Sequence, residues 1–299
     1  MILHRLQQRA AIIQAARFFF IAHHYLEVET PIRLPALIPE ANILPLPSAL
    51  WFLQTSPELC MKRLLAAGAP RLFQICKCFR DSERGSRHLP EFTMLEWYRL
   101  DGHYQDLMTE TQAFLQDLAQ RLSQEMDYDQ EIIGLLLQPD WQRLTVHEAF
   151  ACHAPISAEK ALADDCFDEI LVEYVELHLG LDRPCFLHDY PTALGSLAKT
   201  SSRDPEIAER FELYIHGVEL ANGFSELTDP VEQRRRFVRE AALTRAQGTS
   251  FGDLPEKFLG DLSRIEAACG IALGMDRLVM LFTGAKSIDE VVSFAPEAL

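Results

Sequence analysis

The chain has 299 residues, a net charge of −16, 48% apolar and 24% charged residues, which suits a globular fold with a sizeable core and excludes a disordered chain. The acidity argues against binding a polynucleotide along a broad face, because such proteins gather basic residues into a patch. The dense basic stretches, residues 80–88 and "EQRRRFVRE", are both interleaved with acids.

The opening "MILHRLQQRAAIIQAARFFF" reads as an amphipathic helix without a signal-peptide cleavage site, within a helix spanning residues 3–24. No apolar run reaches the roughly eighteen residues that a membrane span needs. "LEVETP" is a short strand ended by Pro31, and the proline- and leucine-rich stretch 31–50 is expected to be loop. After a strand at 51–54, "SPELCMKRLLAAG" has the grammar of a helix: Ser56 as N-cap, Pro57 in the first turn and Gly68 closing it. Strands at 72–80 and 92–100 flank a charged loop. Residues 104–126 and 157–180 are mainly helical. "FELYI" and "VELANGF" form a strand pair around His216-Gly217, and a charged helix covers 230–247. "GIALGMDRLVMLFTGA" closes the chain as strand, glycine step and helix. The order predicts an α+β fold: an antiparallel sheet with helices on one side. The seven scattered cysteines point to reduced thiols in a cytoplasmic protein rather than a zinc site.

Three spacings carry chemistry. The loop after Phe79 holds Arg80, Arg84, Arg87 and His88 beside Asp81 and Glu83, far more charge than a two-residue turn requires. In the following strand, period two puts Phe92, Met94, Glu96 and Tyr98 on one face, as in a substrate pocket or a wet edge strand. In the hairpin, a turn at His216-Gly217 sets Tyr214 opposite Glu219 and Glu212 opposite Ala221. Glu212 and Glu219 are then diagonal neighbours on one face; they are either solvated or bridged by a cation such as Mg²⁺. Parity sends Asn222 to the other face unless Gly223 permits a bulge. Arg277, in the first turn of the last helix, opposes the helix dipole at a cost of roughly a few tenths of a kcal/mol, which an anionic ligand would reverse.

"FRDSERGSRHLPEFTMLEWY" resembles the second signature motif of class II aminoacyl-tRNA synthetases, "GIALGMDRLVML" the third, and "LEVETP" the end of the first, a dimer-interface element. "FELYIHGVELANGFSELTDP" is similar to the lysine-specific branch. "TSPELCMKRLL" and "PEFTMLEWYR" also look like a truncated paralogue of that branch, ligases that activate β-lysine with ATP and attach it to elongation factor P. The resemblance implies one catalytic domain over 1–299, with a mainly helical insertion at about 101–185 and no anticodon-binding domain. It also implies a homodimer for which tRNA binding is unlikely. The partners implied are elongation factor P and lysine or β-lysine.

The same resemblance implies roles. Arg80 would grip the α-phosphate of ATP and Arg277 the other side of the nucleotide, as the catalytic pair. Asp81, Ser82, Arg87, His88, Leu89, Phe92, Glu219, Leu220 and Gly274 would complete the ATP site, with Phe92 on adenine. Glu212 and Glu219 would carry Mg²⁺. Ser56, Pro57, Glu58 and Asn222 would meet the amino and carboxylate groups of the amino acid, while Glu96, Tyr98 and Glu226 surround its distal ammonium. Ala272, a glycine in lysyl-tRNA synthetases, would reshape the pocket floor in favour of the β-isomer. The chain departs from the family in having Ser82 where a glutamate is usual (Glu83 follows) and Leu89 in place of an asparagine. Two other readings remain open: a minimal lysyl-tRNA synthetase-like enzyme with another acceptor, and an inactive synthetase-like regulatory subunit.

Overall fold

A computed structural model describes residues 2–124, 127–246 and 248–299. The chain opens with α1 (Ile2–Ala22), followed by β1 (Leu26–Glu27), β2 (Arg33–Leu34), β3 (Leu46–Ser48) and β4 (Trp51–Leu53). Strands β2, β4 and β3 pair as a small sheet where the sequence predicts loop up to Trp51. They are too short to show period two, and they are held by packing of Leu34, Leu37 and Phe52 with Phe251, far away in the chain. Helix α2 (Glu58–Ala66) begins after Pro57, with Ser56 Oγ accepting the Glu58 amide at 3.0 Å. Gly68, at φ +102, takes the chain out of it.

Strands β5 (Arg71–Phe79) and β6 (Glu91–Leu100) flank the charged loop as expected. Then come α3 (Tyr104–Leu122), α4 (Gln130–Leu136), β7 (Gln142–Thr145), α5 (Val146–His153), α6 (Ala158–Ala163), α7 (Phe167–Ile170) and β8 (Cys185–Pro191). The hairpin is β9 (Ile207–Ile215) and β10 (Val218–Ser225). The chain finishes with α8 (Pro230–Ala246), α9 (Glu256–Leu262), β11 (Ala268–Gly274) and α10 (Met275–Thr283). The helix ends expected at 126 and 247 lie outside the described residues.

Eight strands form one sheet in the order β1-β5-β6-β11-β10-β9-β8-β7. The pairs at its two edges, β1–β5 and β7–β8, are parallel and all those between are antiparallel, so the sheet is mixed rather than purely antiparallel. Nor do the helices keep to one side. On one face Phe73, Trp97, Ile271 and Leu273 pack against Phe20 of α1, Phe114 and Leu118 of α3 and Leu278 of α10. On the other, Leu72 and Tyr98 pack against Leu59 and Leu65 of α2, Phe237 of α8 and Phe258 of α9. Alternation within a strand assigns side chains to faces but does not say what covers each face.

Register decides which polar groups meet on the second face. Asn222 lies opposite both Glu212 and Ala272, Ala272 opposite Glu96, and Glu96 opposite Gln74. The His216-Gly217 turn has φ +50 and +64, the left-handed pair that a two-residue hairpin favours. Tyr214 faces Glu219 as expected, but the register then shifts between Glu219 and Ala221. Glu212 therefore opposes Asn222, not Ala221. The bulge sits at Leu220 rather than Gly223, and it turns Asn222 onto the face of Glu212.

Gly270 lies opposite Tyr98, and a Cβ there would come within 2.2 Å of the Tyr98 ring and 2.6 Å of Glu226 Oε1. Gly270→Ala is expected to destabilise the fold by about 1–3 kcal/mol, read as a lower urea midpoint. An unchanged midpoint would mean that the ring yields freely.

Candidate active site

A cavity of about 870 Å³ opens on the second face of the sheet, with the charged loop and α10 at one end. Arg80, Arg87, His88, Leu89 and Phe92 reach it from the loop and β6; Leu220, Gly274 and Arg277 close the same end. Glu212, Glu219, Asn222 and Ala272 line it from β9, β10 and β11. Asp81 and Ser82 do not reach its wall. They are exposed, Ser82 at φ +63, because the Asp81 amide bonds Leu44 O at 2.8 Å and the chain turns away there. Glu83 stands on the wall instead, 3.7 Å from Arg80.

The loop is folded against three other elements. Gly85 and His88 bridge each other, and Ile288 N donates to Ser86 O at 2.8 Å. Arg84 pairs with Asp289 at 2.9 Å and with Glu297 at 2.8 Å, fastening the loop to the last residues of the chain. Arg87 donates to Gly217 O at 2.9 Å, in the hairpin turn. Arg277 is no solvated arginine: it donates to Glu219 O at 2.6 Å and lies 2.6 Å from His88 Nε2. Burial and the Arg277 charge hold His88 below its ordinary pKa, so its ring is neutral near pH 7 and can accept from that guanidinium. The neighbouring Asp276 is buried, accepting the Thr93 amide at 2.6 Å and pairing with Arg9 at 2.6 Å. It thereby ties α10 to β6 and α1. Arg80 lies over the Phe92 ring at 5.2 Å, and its Nε is buried without a partner. Such an unsatisfied donor costs about 1–3 kcal/mol, which an anion's oxygen would remove.

On the opposite wall, Glu212 accepts from Arg210 at 2.5 Å, Tyr190 at 2.6 Å and Tyr214 at 2.7 Å. Burial raises its pKa, Arg210 opposes the rise and Glu219 adds to it. Arg210 also donates to Asn222 Oδ1 at 3.2 Å, which leaves the Asn222 amide nitrogen as the free donor.

The remaining expected residues form a closed cluster outside the cavity lining. Glu96 accepts from Ser56 at 2.6 Å and from Tyr98 at 2.7 Å. Glu58 and Glu226 are both paired with Lys62, whose ammonium lies 5.2 Å from the ring of Phe224, itself on the cavity wall. Pro57 is buried at the start of α2. One buried lysine thus fills the space between two carboxylates expected to meet a substrate.

A family model for class II tRNA synthetases (D, K and N) matches residues 2–298. The chain belongs to the class II synthetase family. Among curated proteins it is 38% identical over 305 residues to the elongation factor P–(R)-β-lysine ligase of Proteus mirabilis, covering 97% of this chain and 94% of that protein. The ligase of the same name from Pectobacterium atrosepticum is 39% identical over 308 residues, covering 98% and 95%.

Within this class II framework, sequence reasoning missed Lys62, Arg210, Tyr190 and Glu40. Two of them carried a signal. Arg210 stands two residues before Glu212 on the same strand face, and Lys62 one helical turn after Glu58. Glu40, on the cavity wall, is pushed up to about 7 by burial and by Glu58, and nothing in its proline-rich surroundings announced it. Two carboxylates line the cavity: Glu219 beside Arg277 at 3.2 Å, and Glu212 on the wall held by Arg210, Tyr190 and Tyr214. That donor set suits Mg²⁺, which takes few protein carboxylates and fills its shell with water and phosphate oxygens.

Burial, and then Glu58, push the Glu96 carboxyl up from 4.5 to about 8. Burial also lifts Glu226 to about 8, against the pull of Lys62. Both therefore bind protons in the folded state that the unfolded chain has released. Between about pH 4.5 and pH 8 stability should fall as pH rises. Thermal scans of Glu96→Gln should show a flatter decline across that window than wild type; equal slopes would contradict the shift.

Proposed function

We propose that this enzyme uses ATP to activate (R)-β-lysine as its adenylate and transfers it to a lysine side chain of elongation factor P. The observation that carries the reading is one sheet face on which the row Glu212–Asn222–Ala272–Glu96 crosses four strands to a buried carboxylate cluster, while Arg80, Arg87 and Arg277 stand at one end of the cavity over that face. The relatives' activity supports it. An ATP-dependent ligase of this family needs an anion site and an amino-acid site side by side, so that a carboxylate can be held against phosphorus.

In the first step the amino-acid carboxylate attacks the α-phosphorus, a P–O bond forms and pyrophosphate leaves. Arg80, with its unpartnered Nε, would stabilise the charge growing on the α-phosphate, and Arg277 would hold the nucleotide from α10. Phe92 offers a ring to the adenine. Glu212 and Glu219 would hold Mg²⁺, which supplies charge neutralisation to the phosphates when bound. Asn222, oriented by Arg210, would donate to the carboxylate, Glu58 would accept from the nearby amino group, and Glu96, Glu226 and Tyr98 would surround the distal ammonium. In the second step the acceptor amine attacks the adenylate carbonyl, AMP leaves and the amine gives up a proton.

On this reading residues 1–299 act as one catalytic domain working in the cytoplasm. We further propose a homodimer through α1 and β1, which expose Phe18, Ile21 and Leu26 with Ile32 beside them. Among the described residues, no helix is long and apolar enough to cross a membrane.

ATP–pyrophosphate exchange with α-lysine and each β-lysine enantiomer, followed by transfer to purified elongation factor P, tests the proposal. Exchange is expected to be fastest with (R)-β-lysine and to end in labelled protein. Exchange with none of them overturns the reading, and charging of tRNA alone would favour a synthetase. Arg80→Ala should slow exchange by about 10²–10³-fold. Ala272, on the floor between Asn222 and Glu96, is expected to bias the site towards the β-isomer. Ala272→Gly should shift the ratio of kcat/KM towards α-lysine by about tenfold, the scale of one methyl in a pocket; an unmoved ratio would refute that role.

A further inference from the structure

Lys62 is a buried cation that the proposed mechanism does not use. Its side chain is 1% exposed, and it bridges Glu58, on its own helix, to Glu226, at the end of β10. No other cation pairs with either carboxylate among the described residues. Burial works against its charge, but Glu226 and Glu58 outweigh that and hold its pKa above the ordinary value. Glu96 and Tyr98 face the same cluster from β6, and Phe224 lies beside the ammonium. Arg80 and Glu40 act on the cluster from further off. Glu226 Oε1 is buried and has no hydrogen-bond partner.

We infer that Lys62 is the positioning and selectivity residue of the amino-acid site: it fixes the span between Glu58 and Glu226 and supplies the cation paired within a cluster of three buried carboxyl groups. The inference rests on the ligase reading and deepens it. Three carboxyl groups share one ammonium: burial keeps Glu96 and Glu226 largely protonated near neutral pH, and the two ammonium groups of a diamino acid would draw both into the charged form. An amino acid lacking the second ammonium leaves one buried carboxylate unpaired. Lys62 also holds one oxygen of Glu226 and leaves the other, Oε1, for the ligand. Without Lys62 the two glutamates repel, one takes up a proton, and their spacing is no longer set.

The test compares Lys62→Met and Lys62→Arg with wild type in ATP–pyrophosphate exchange across pH. Lys62→Met should raise KM for (R)-β-lysine by about tenfold or more while KM for ATP stays within about twofold. Its acid limb in kcat/KM for the amino acid should move up by about one pH unit or more, because Glu226 loses the opposite charge beside it. Lys62→Arg keeps the charge but not the span; it should restore the pH limb and only part of the affinity. A folded Lys62→Met with an unmoved limb, or with equal losses for ATP and amino acid, would overturn the inference and leave Lys62 a packing residue. If Lys62→Met does not fold, Lys62→Arg decides, since an unchanged KM for the amino acid refutes the spacer role. Absent exchange by wild type refutes the ligase reading alone, and calorimetric binding of (R)-β-lysine then makes the same comparison of variants. Absent binding by wild type overturns both.

Discussion

A β-strand can send a side chain to only two places, and the site depends on an interruption of that rule in β10. Leu220 is the extra residue between Glu219 and Ala221, and its presence changes the parity of everything after it in β10. Ala221 joins the main core with Leu213 and Leu273, while Asn222 moves to the polar face. Without the bulge an amide would be pushed among aliphatic side chains and the row from Glu212 to Glu96 would lose its middle. Gly223 contributes differently: a Cβ there would come within 2.8 Å of the Phe211 ring, so its role is close packing against β9.

Two regions of that face are electrostatic opposites. In one, Arg80, Arg87 and Arg277 converge, with Glu83 paired to Arg80 and Glu219 to Arg277. In the other, carboxylates outnumber the single lysine. Each region is incomplete in its own sign, and the intervening floor is small and nearly apolar at Ala272. On the proposed reading, a polyanion and a polycation with the reacting carboxylate between them would complete both. The protein's net charge of −16 does not describe either surface, because the arginines are local and several already carry a carboxylate neighbour.

Legibility from sequence followed the range of the forces involved. The charged loop, the face shared by Phe92, Met94, Glu96 and Tyr98, the two-residue turn and the strand-to-helix step at Gly274 depend on local periodicity and turn chemistry, and they were readable. The small sheet around Trp51 was not, since its strands exist through packing on Phe251. The helix at 230–247 was readable, but its place with α9 over the second face was hidden, because alternation in β6 cannot say what lies above Tyr98. At the site, Arg80 and Arg277 were readable from charge placed where a plain turn or helix would not carry it. Asp81 and Ser82 shared the motif but were turned outward by a backbone bond to Leu44. Lys62 looked like an ordinary helix charge until the fold brought Glu226 against it.

The tether between Arg84 and the chain's final turn has a bearing on entropy. A glycine-containing loop that must wrap a flexible triphosphate ordinarily surrenders its conformational freedom at the moment of capture. Here Asp289 and Glu297 restrain the loop beforehand through Arg84, so on the proposed reading more of the favourable contact with a nucleotide would survive as net affinity. On the reading proposed above, Asp289 and Glu297 would act as a brace for preorganisation, and residues distant from any reacting atom would contribute to how readily a nucleotide is held.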